Sequence, residues 1–230
     1  MDADIERMRR EYAERERRFI ESDRYSLYNP AALFLFQERQ RITLEILRRH
    51  KYEPIDGNQI LEVGCGKGDI LREFLCYGAH PHHLFGAELL TERVKKAHEN
   101  LPFLRLVCAD GQNLPYPEES FDLVLQYTVF SSVLDNRIRA NLAGEMLRVV
   151  KHSGMILWYD FWINPINSQT RGIPKGEIRN LFPGCQLDIR RLTLAPPLAR
   201  RLLPLSRMLA DLLTRTGLFN THYLVAIRRN

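Results

Sequence analysis

Apolar positions recur in two rhythms along this chain, and the rhythm changes near residue 55. Over residues 3–20, charges of both signs fall at helical spacing with few apolar partners, which predicts an exposed or loosely docked helix. A second helix is predicted from Pro30. Asn29 can cap it, Pro30 fits the first helical position, and AALFLFQERQRITLEILRRH carries an apolar stripe. The stretch HKYEPIDGN then breaks it. Beyond this point short apolar runs alternate with helical patterns. Strands are predicted at 59–63, 83–89, 103–110, 121–127 and 154–162. Helices are predicted in DILREFLCYG, in TERVKKAHENL with Thr91 as its cap, and in RIRANLAGEMLRVVK. The tail predicts a short helix, GIPKGEIRNLF, and two alternating strands, CQLDIRRLTLA and HYLVAIRR. Between those strands lies a leucine-rich, arginine-studded helical insertion, PPLARRLLPLSRMLADLLTRTG, interrupted at Pro204. Strand–helix alternation predicts an α/β domain with a mostly parallel sheet between helices.

Composition narrows the class. The chain has 230 residues, 45% hydrophobic and 27% charged, which suits one soluble domain with a substantial core. No apolar run approaches the ~20 residues of a membrane span. The charged start, MDADIERMRREYAERERRF, is unlike a secretory signal, so a cytoplasmic location is expected. Cys65, Cys76, Cys108 and Cys185 show no CxxC spacing and read as reduced thiols. HPHH at 80–83 has no cysteine or carboxylate at ligand spacing, so it reads as a turn and no metal is expected. Charge is uneven. Lys and Arg number 21 against 24 Asp and Glu up to residue 150, and 12 against 4 after it, a net of −3 and then +8. The basic part suits a solvated face, an anionic acceptor, an acidic lipid surface or nucleic acid.

The candidate chemistry centres on ILEVGCGKGDIL, residues 60–71. Gly64, Gly66 and Gly68 follow a predicted strand and precede a predicted helix, where bare backbone meets a ligand beyond the strand ends of an open sheet. A phosphate-binding GxxxxGK[ST] loop is excluded, because Lys67 falls inside the glycine cluster with no Ser or Thr after it. A dinucleotide GxGxxG is disfavoured because its third glycine is Asp69, an acid where pyrophosphate would sit. Glu62 and Asp69 instead suit a ligand carrying positive charge. Glu88 ends the second strand, placed for ribose hydroxyls, and Asp110 ends the third, placed for an exocyclic amine.

These motifs resemble those of the class I S-adenosylmethionine-dependent methyltransferases over roughly residues 55–165. LEVGCGKG is similar to the family's first motif, GAELL to its ribose-binding strand end, and ADGQNLPYPEESFDLVLQY to its third and fourth. The run from LPYP through SFDLV to LRVVKHSGMI is similar to the small-molecule branch that includes quinone and natural-product enzymes. The resemblance implies a Rossmann-like, seven-stranded, mostly parallel sheet with helices on both faces. It also implies one domain, with an N-terminal helical extension (1–54), a cofactor-binding core (55–165) and a substrate-side C-terminal part (166–230). S-adenosylmethionine would be the cofactor and S-adenosylhomocysteine the product. By matching position, Glu62 would orient the loop, and Gly64, Cys65 and Gly66 would line the methionine part. Glu88 would hold ribose, Leu89 would pack on adenine, and Asp110 with the Gly111 backbone would read its polar edge. Gln126 would face the methionine amine or the transferring methyl. Tyr25 and Tyr28 would either close over the cofactor or pack on the core. The family usually has Asp where this chain has Glu88, and Ser131 and Ser132 stand where the branch often has two histidines.

A methyl transfer needs alignment and exclusion of water, and a hydroxyl acceptor adds a base within ~3 Å of its proton. Tyr127, Tyr159, Asp160 and His222, at strand ends, are the candidates, with His222, Asp160 and Tyr127 carried forward as catalytic. QYTV at the fourth strand departs from the Asn/Asp-Pro-Pro-aromatic segment of enzymes acting on base or glutamine amines. Trp162, Asn164, Asn167 and Arg171 after the fifth strand offer an aromatic face and polar handles for a sugar or anionic acceptor. The expected activity is methyl transfer to a small molecule, at a hydroxyl of a sugar, lipid-linked or natural-product acceptor. A quinone-type C-methyltransferase, an RNA methyltransferase using the basic C-terminal third, and a catalytically silent scaffold are the alternatives. No nucleic-acid partner is expected. Residues 198–216 could lie against a membrane or lipid, cap the site, form a dimer face or belong to the core.

Overall fold

The computed structural model describes residues 6, 7, 9–11, 14, 26–164 and 169–230. Its centre is a seven-stranded sheet formed by β1 (Ile60–Val63), β2 (Leu84–Glu88), β3 (Arg105–Cys108), β4 (Phe121–Tyr127), β5 (Val150–Phe161), β6 (Cys185–Leu194) and β7 (Asn220–Arg229). The spatial order is β3-β2-β1-β4-β5-β7-β6, and β7 alone runs antiparallel to both its neighbours. This is the Rossmann-like, seven-stranded, mostly parallel sheet that the resemblance implied.

Helices cover both faces. Strand parity sends Leu61, Val63, Val124, Ile156 and Trp158 to one side. There they pack under α4 (Asn136–Val149) and α5 (Lys175–Leu181). Ile60, Leu123, Leu125, Met155 and Leu157 face the other side, under α1 (Pro30–Arg49) and α2 (Asp69–Cys76). A fifth helix on the sheet, α3, spans Thr91–Asn100. Two more, α6 (Pro196–Leu202) and α7 (Arg207–Thr216), form the insertion between β6 and β7. They pack on the start of α1 through Ala31, Phe34, Leu194, Ala199 and Ala210. No helix among the described residues is long and apolar enough to cross a membrane.

Local chemistry sets the helix starts. Asn29 accepts from the amides of Ala31 and Ala32, and Asp135 caps α4 by accepting from Arg137 and Ile138. Thr91 is not a cap. It is the first residue of α3, whose N-cap is Leu90, and its hydroxyl lies 3.3 Å from the Cys108 sulfur. Strand β5 begins four residues earlier than its sequence pattern predicts, directly after α4, because Val149 and Val150 are both buried and Lys151 pairs with Asp122 at 2.7 Å. HPHH forms a 3-10 turn at Pro81–His83. The described part of residues 3–20 is helical, and Arg7 donates to the Ser132 carbonyl at 2.6 Å, tying this segment to the turn after β4.

Candidate functional site

The chain order reverses between β1 and β4, and a cleft opens there at the carboxyl ends of the parallel strands. Of the residues expected to hold a cofactor, Gly64, Gly66, Glu88, Leu89, Asp110 and Gly111 line it. Gly64 and Gly66 take left-handed φ values of +74° and +55°. A Cβ on Gly64 would come within 2.4 Å of Val129, so the loop and the end of β4 touch through bare backbone. The amides of Gly64 and Cys65 are taken by the Ala87 carbonyl. That of Gly66 donates to Glu88 at 2.9 Å, and the other Glu88 oxygen accepts from Leu90 at 3.0 Å. Asp110 accepts from the amide of Gln112 at 2.9 Å and from its side chain at 3.2 Å, which fixes the turn carrying Gly111.

Three expected cofactor residues stand behind this surface. Cys65 is buried with its thiol against Gly86, and burial pushes that thiol up, so it is a wall of the loop. Glu62 is buried beneath the loop, and its Oε2 has no hydrogen-bond partner. Burial, then the charges of Asp69, Glu73 and Glu88, raises its carboxyl well above the usual range, while Arg39 opposes them. Gln126 does not reach the cleft. Its amide donates to the Tyr159 carbonyl at 3.4 Å, and its oxygen accepts from Val129 at 3.0 Å. These bonds hold the turn after β4, where Thr128 takes a φ of +58°, a strained value for a β-branched residue. Thr128, Val129 and Arg93 line the cleft, and sequence reasoning missed all three. Arg93 approaches Glu88 at 3.7 Å from α3. No local motif announces them, because an unremarkable sequence acquires its place only from the tertiary arrangement.

The catalytic candidates separate. Tyr127 lines the cleft, with burial raising its hydroxyl. Asp160 is buried away from it and accepts from the amides of Ser131 at 3.1 Å and Phe161 at 2.8 Å; burial lifts its carboxyl to about 6. His222 is buried and stacked on Tyr159 at 4.8 Å, its Nδ1 3.0 Å from the Thr221 hydroxyl. Burial, with Arg39 adding to it, lowers its pKa to about 3, too weak a base to take a hydroxyl proton near neutrality. Tyr159 spends its hydroxyl on Thr193 at 2.8 Å. The structure therefore does not bring Asp160 or His222 to the cleft.

Nor does it bring the proposed acceptor handles there. Trp162 donates to the Asn220 carbonyl at 2.7 Å beneath the Arg191 guanidinium, Asn164 donates to Thr170, and Arg171 pairs with Glu177. Asn167 and Tyr25 lie outside the described residues. Tyr28 is 97% exposed and covers neither the cleft nor the core.

A buried neutral histidine has a measurable signature. The unfolded chain binds a proton on His222 near 6.5 and the folded chain only near 3, so this residue costs stability as pH falls below 6.5. Between pH 7 and pH 5 that cost reaches about 2 kcal/mol. Glu38 and Asp160, each lifted to about 6, act in the opposite direction, gaining stability as they take up protons. His222→Phe keeps the ring stack and removes the titration. The variant is expected to shift the difference in stability between pH 7 and pH 5, from urea unfolding, by about 2 kcal/mol in favour of pH 5. An unchanged difference would contradict the buried, neutral state.

A glycine loop and strand-end acids at the switch point of a sheet with one antiparallel strand are the arrangement of the class I methyltransferase fold. Residues 61–158 match the family model described as a methyltransferase domain. The chain is 33% identical over 121 residues to a phthiotriol/phenolphthiotriol dimycocerosates methyltransferase of Mycobacterium ulcerans, covering 49% of this chain and 41% of that protein. It is 33% identical over 108 residues to a fatty-acid O-methyltransferase of Mycolicibacterium smegmatis, with 46% and 38% covered. It is 26% identical over 171 residues to a tRNA (carboxymethyluridine(34)-5-O)-methyltransferase of Saccharomyces cerevisiae, with 74% and 57% covered. The chain thus spans well under two thirds of the length of these curated relatives. In fold it is similar to an S-adenosylmethionine-dependent methyltransferase from Archaeoglobus fulgidus, with a TM-score of 0.58 at 17% identity over 86% of this chain and 98% of the other.

The residues present fit the cofactor of that class. Main chain is bare at Gly64 and Gly66, an orphaned carboxyl oxygen of Glu62 lies under the loop, and Glu88 and Asp110 line the cleft. A cationic nucleoside matches this acidic, glycine-floored site.

Proposed function

We propose that this chain moves a methyl group from S-adenosylmethionine to a hydroxyl oxygen of a small-molecule acceptor, a lipid-linked, sugar or natural-product alcohol. The observation that carries the reading is the cleft itself, with the acids on the β2 and β3 side and Tyr127 with Thr128 on the β4 side. The cofactor, when bound, supplies a methyl on a sulfonium that is already electrophilic. The chain's part is then to orient and enclose. Glu88 holds the ribose, Leu89 and Gly111 border the base, and the strained Thr128 turn, braced by Gln126, sets the floor beside Tyr127. The acceptor loses its proton to solvent or to a group outside the described cleft, because Asp160 and His222 are both committed elsewhere. Two of the matched relatives act on lipid-type substrates by name, and one is an O-methyltransferase.

An RNA acceptor is the second reading, supported by the longer match to the tRNA enzyme. Against it, some of the basic C-terminal part is internally paired: Arg229 pairs with Glu119, Arg190 with Asp188, and Arg191 lies over Trp162. Incubation with methyl-labelled cofactor and separated lipid, glycan, small-molecule and RNA fractions decides between them. Label in an alkali-stable ether of a small molecule is expected. Label in RNA, or on carbon, would overturn the reading.

A further inference from the structure

The insertion between β6 and β7 is apolar on both of its sides. Inward, Ala199 and Ala210 are fully buried against Ala31, Phe34 and Leu194, with Leu198 and Leu213 beside them. Outward, Leu205 and Met208 are each 81% exposed and Leu212 is 59% exposed. Met208, Leu212 and then Arg215 follow spacings of four and three, so they share the side of α7 that faces away from Ala210 and Leu213, and Leu205 stands in the turn before the helix. Gly217 ends the helix in a left-handed conformation, and the turn after it adds Leu218, 70% exposed, and Phe219. A surface helix ordinarily turns one apolar stripe to the core and leaves its other side polar. Contiguous exposed apolar side chains of this kind mark a contact surface.

Charge and position identify what fits it. Arg207 and Arg215 on α7 and Arg200 and Arg201 on α6 are all exposed, against a single acid, Asp211, in the same insertion. Apolar side chains rimmed by arginines match the boundary of an anionic bilayer, where the leucines enter the acyl region and the guanidinium groups meet headgroup phosphates. A second copy of the chain fits less well. The outward side of α7 is only ~15 Å long and carries Arg215 in its line, whereas the middle of a dimer interface is depleted of charge. The insertion is also at a useful end of the sheet. Asn220 pairs with Leu194 and His222 with Phe161, so the insertion sits at the carboxyl end of β5, on the rim where the cleft opens.

We propose that α7 with its flanking turns is a docking surface for an anionic phospholipid bilayer, which brings the open rim of the cleft to the membrane. The docking rests on the surface alone and not on the catalytic reading. It deepens that reading by placing the acceptor's source in a lipid phase. The test is co-sedimentation of the full chain with extruded vesicles, one set phosphatidylcholine alone and one with a third phosphatidylglycerol, at low and high salt. Binding to the anionic vesicles is expected, and it should fall at least about tenfold without phosphatidylglycerol, at high salt, and in Met208→Asp/Leu212→Asp. Both substituted side chains are exposed, so calorimetric affinity for S-adenosylhomocysteine should match the parent chain. If that variant lost the fold, Arg201→Glu/Arg215→Glu would carry the same expectation through charge. Absence of vesicle binding at low salt would overturn the proposal. So would equal binding by the parent and the charge-reversed variant. So would a dimer in light scattering that Met208→Asp/Leu212→Asp dissolves while vesicles stay unbound. A chain that binds vesicles but not the cofactor would instead refute the catalytic reading.

Discussion

Glu88→Ala is expected to lower affinity for S-adenosylmethionine and S-adenosylhomocysteine by about a hundredfold in calorimetry. Its carboxylate is buried at the end of β2, lines the cleft, and receives the amides of Gly66 and Leu90. Hydrogen bonds to a charged acceptor contribute about 1.5–3 kcal/mol each, so losing a ribose pair removes about 3 kcal/mol, or two decades. Alanine also leaves the Gly66 amide without its acceptor and removes the carboxylate that Arg93 approaches. Glu88→Asp separates these effects. It restores the charge but retracts it by one methylene from the glycine loop, so affinity should return to within about tenfold of the parent chain. An alanine variant that binds within threefold of the parent would show that the ribose is held by something other than Glu88.

The fold was legible because both of its periods were present in the chain. ILEV, LFGAE and FDLVLQY are short apolar runs that end in glycine or polar residues, and each starts or borders a helical pattern. The glycine loop and the strand-end acids were legible for the same reason: their chemistry is local to a strand end. What lay hidden was which way each strand-end side chain turns. Alternation puts Ile60 and Glu62, Leu123, Leu125 and Tyr127, Leu157 and Tyr159, and His222, Leu224 and Ala226 toward α1 and α2. Val124 and Gln126, with Trp158 and Asp160, turn the other way. The three residues read from sequence as one catalytic group therefore belong to two faces, Tyr127 with His222 on one and Asp160 on the other. Gln126, adjacent to Tyr127, is sent behind the cleft by the same rule. Arg93 and Thr128 gave no signal at all, since one is an ordinary helix residue and the other is remarkable only for a backbone angle.

That parity also concentrates buried charge on one face. The α1–α2 face collects Glu62, Glu73 and two tyrosines near one cation, Arg39 of α1. Arg39 pairs with Glu73 at 2.6 Å and lies over the rings of Phe36, Tyr127 and Tyr159 at 5.4–5.7 Å. Both members of the pair are largely buried, and Tyr77 donates to the second Glu73 oxygen at 3.2 Å. Burial raises the Glu73 carboxyl and Arg39 pulls it back. Removing the cation should therefore do more than delete one bond. Arg39→Met keeps most of the apolar stem but leaves Glu73 buried beside Glu62, and breaking a buried pair from one side costs about 3–5 kcal/mol. The loss should be smaller at pH 5 than at pH 7, because a carboxyl whose folded pKa is raised binds its proton preferentially in the folded state and regains stability as pH falls. Glu73→Gln in the Arg39→Met background removes the uncompensated charge and should recover at least half of the loss. Urea unfolding of the four chains of this cycle measures each term. A loss under 1 kcal/mol in Arg39→Met, or a double variant no more stable than that single one, would mean that Arg39 serves the aromatic stack and not the buried acids.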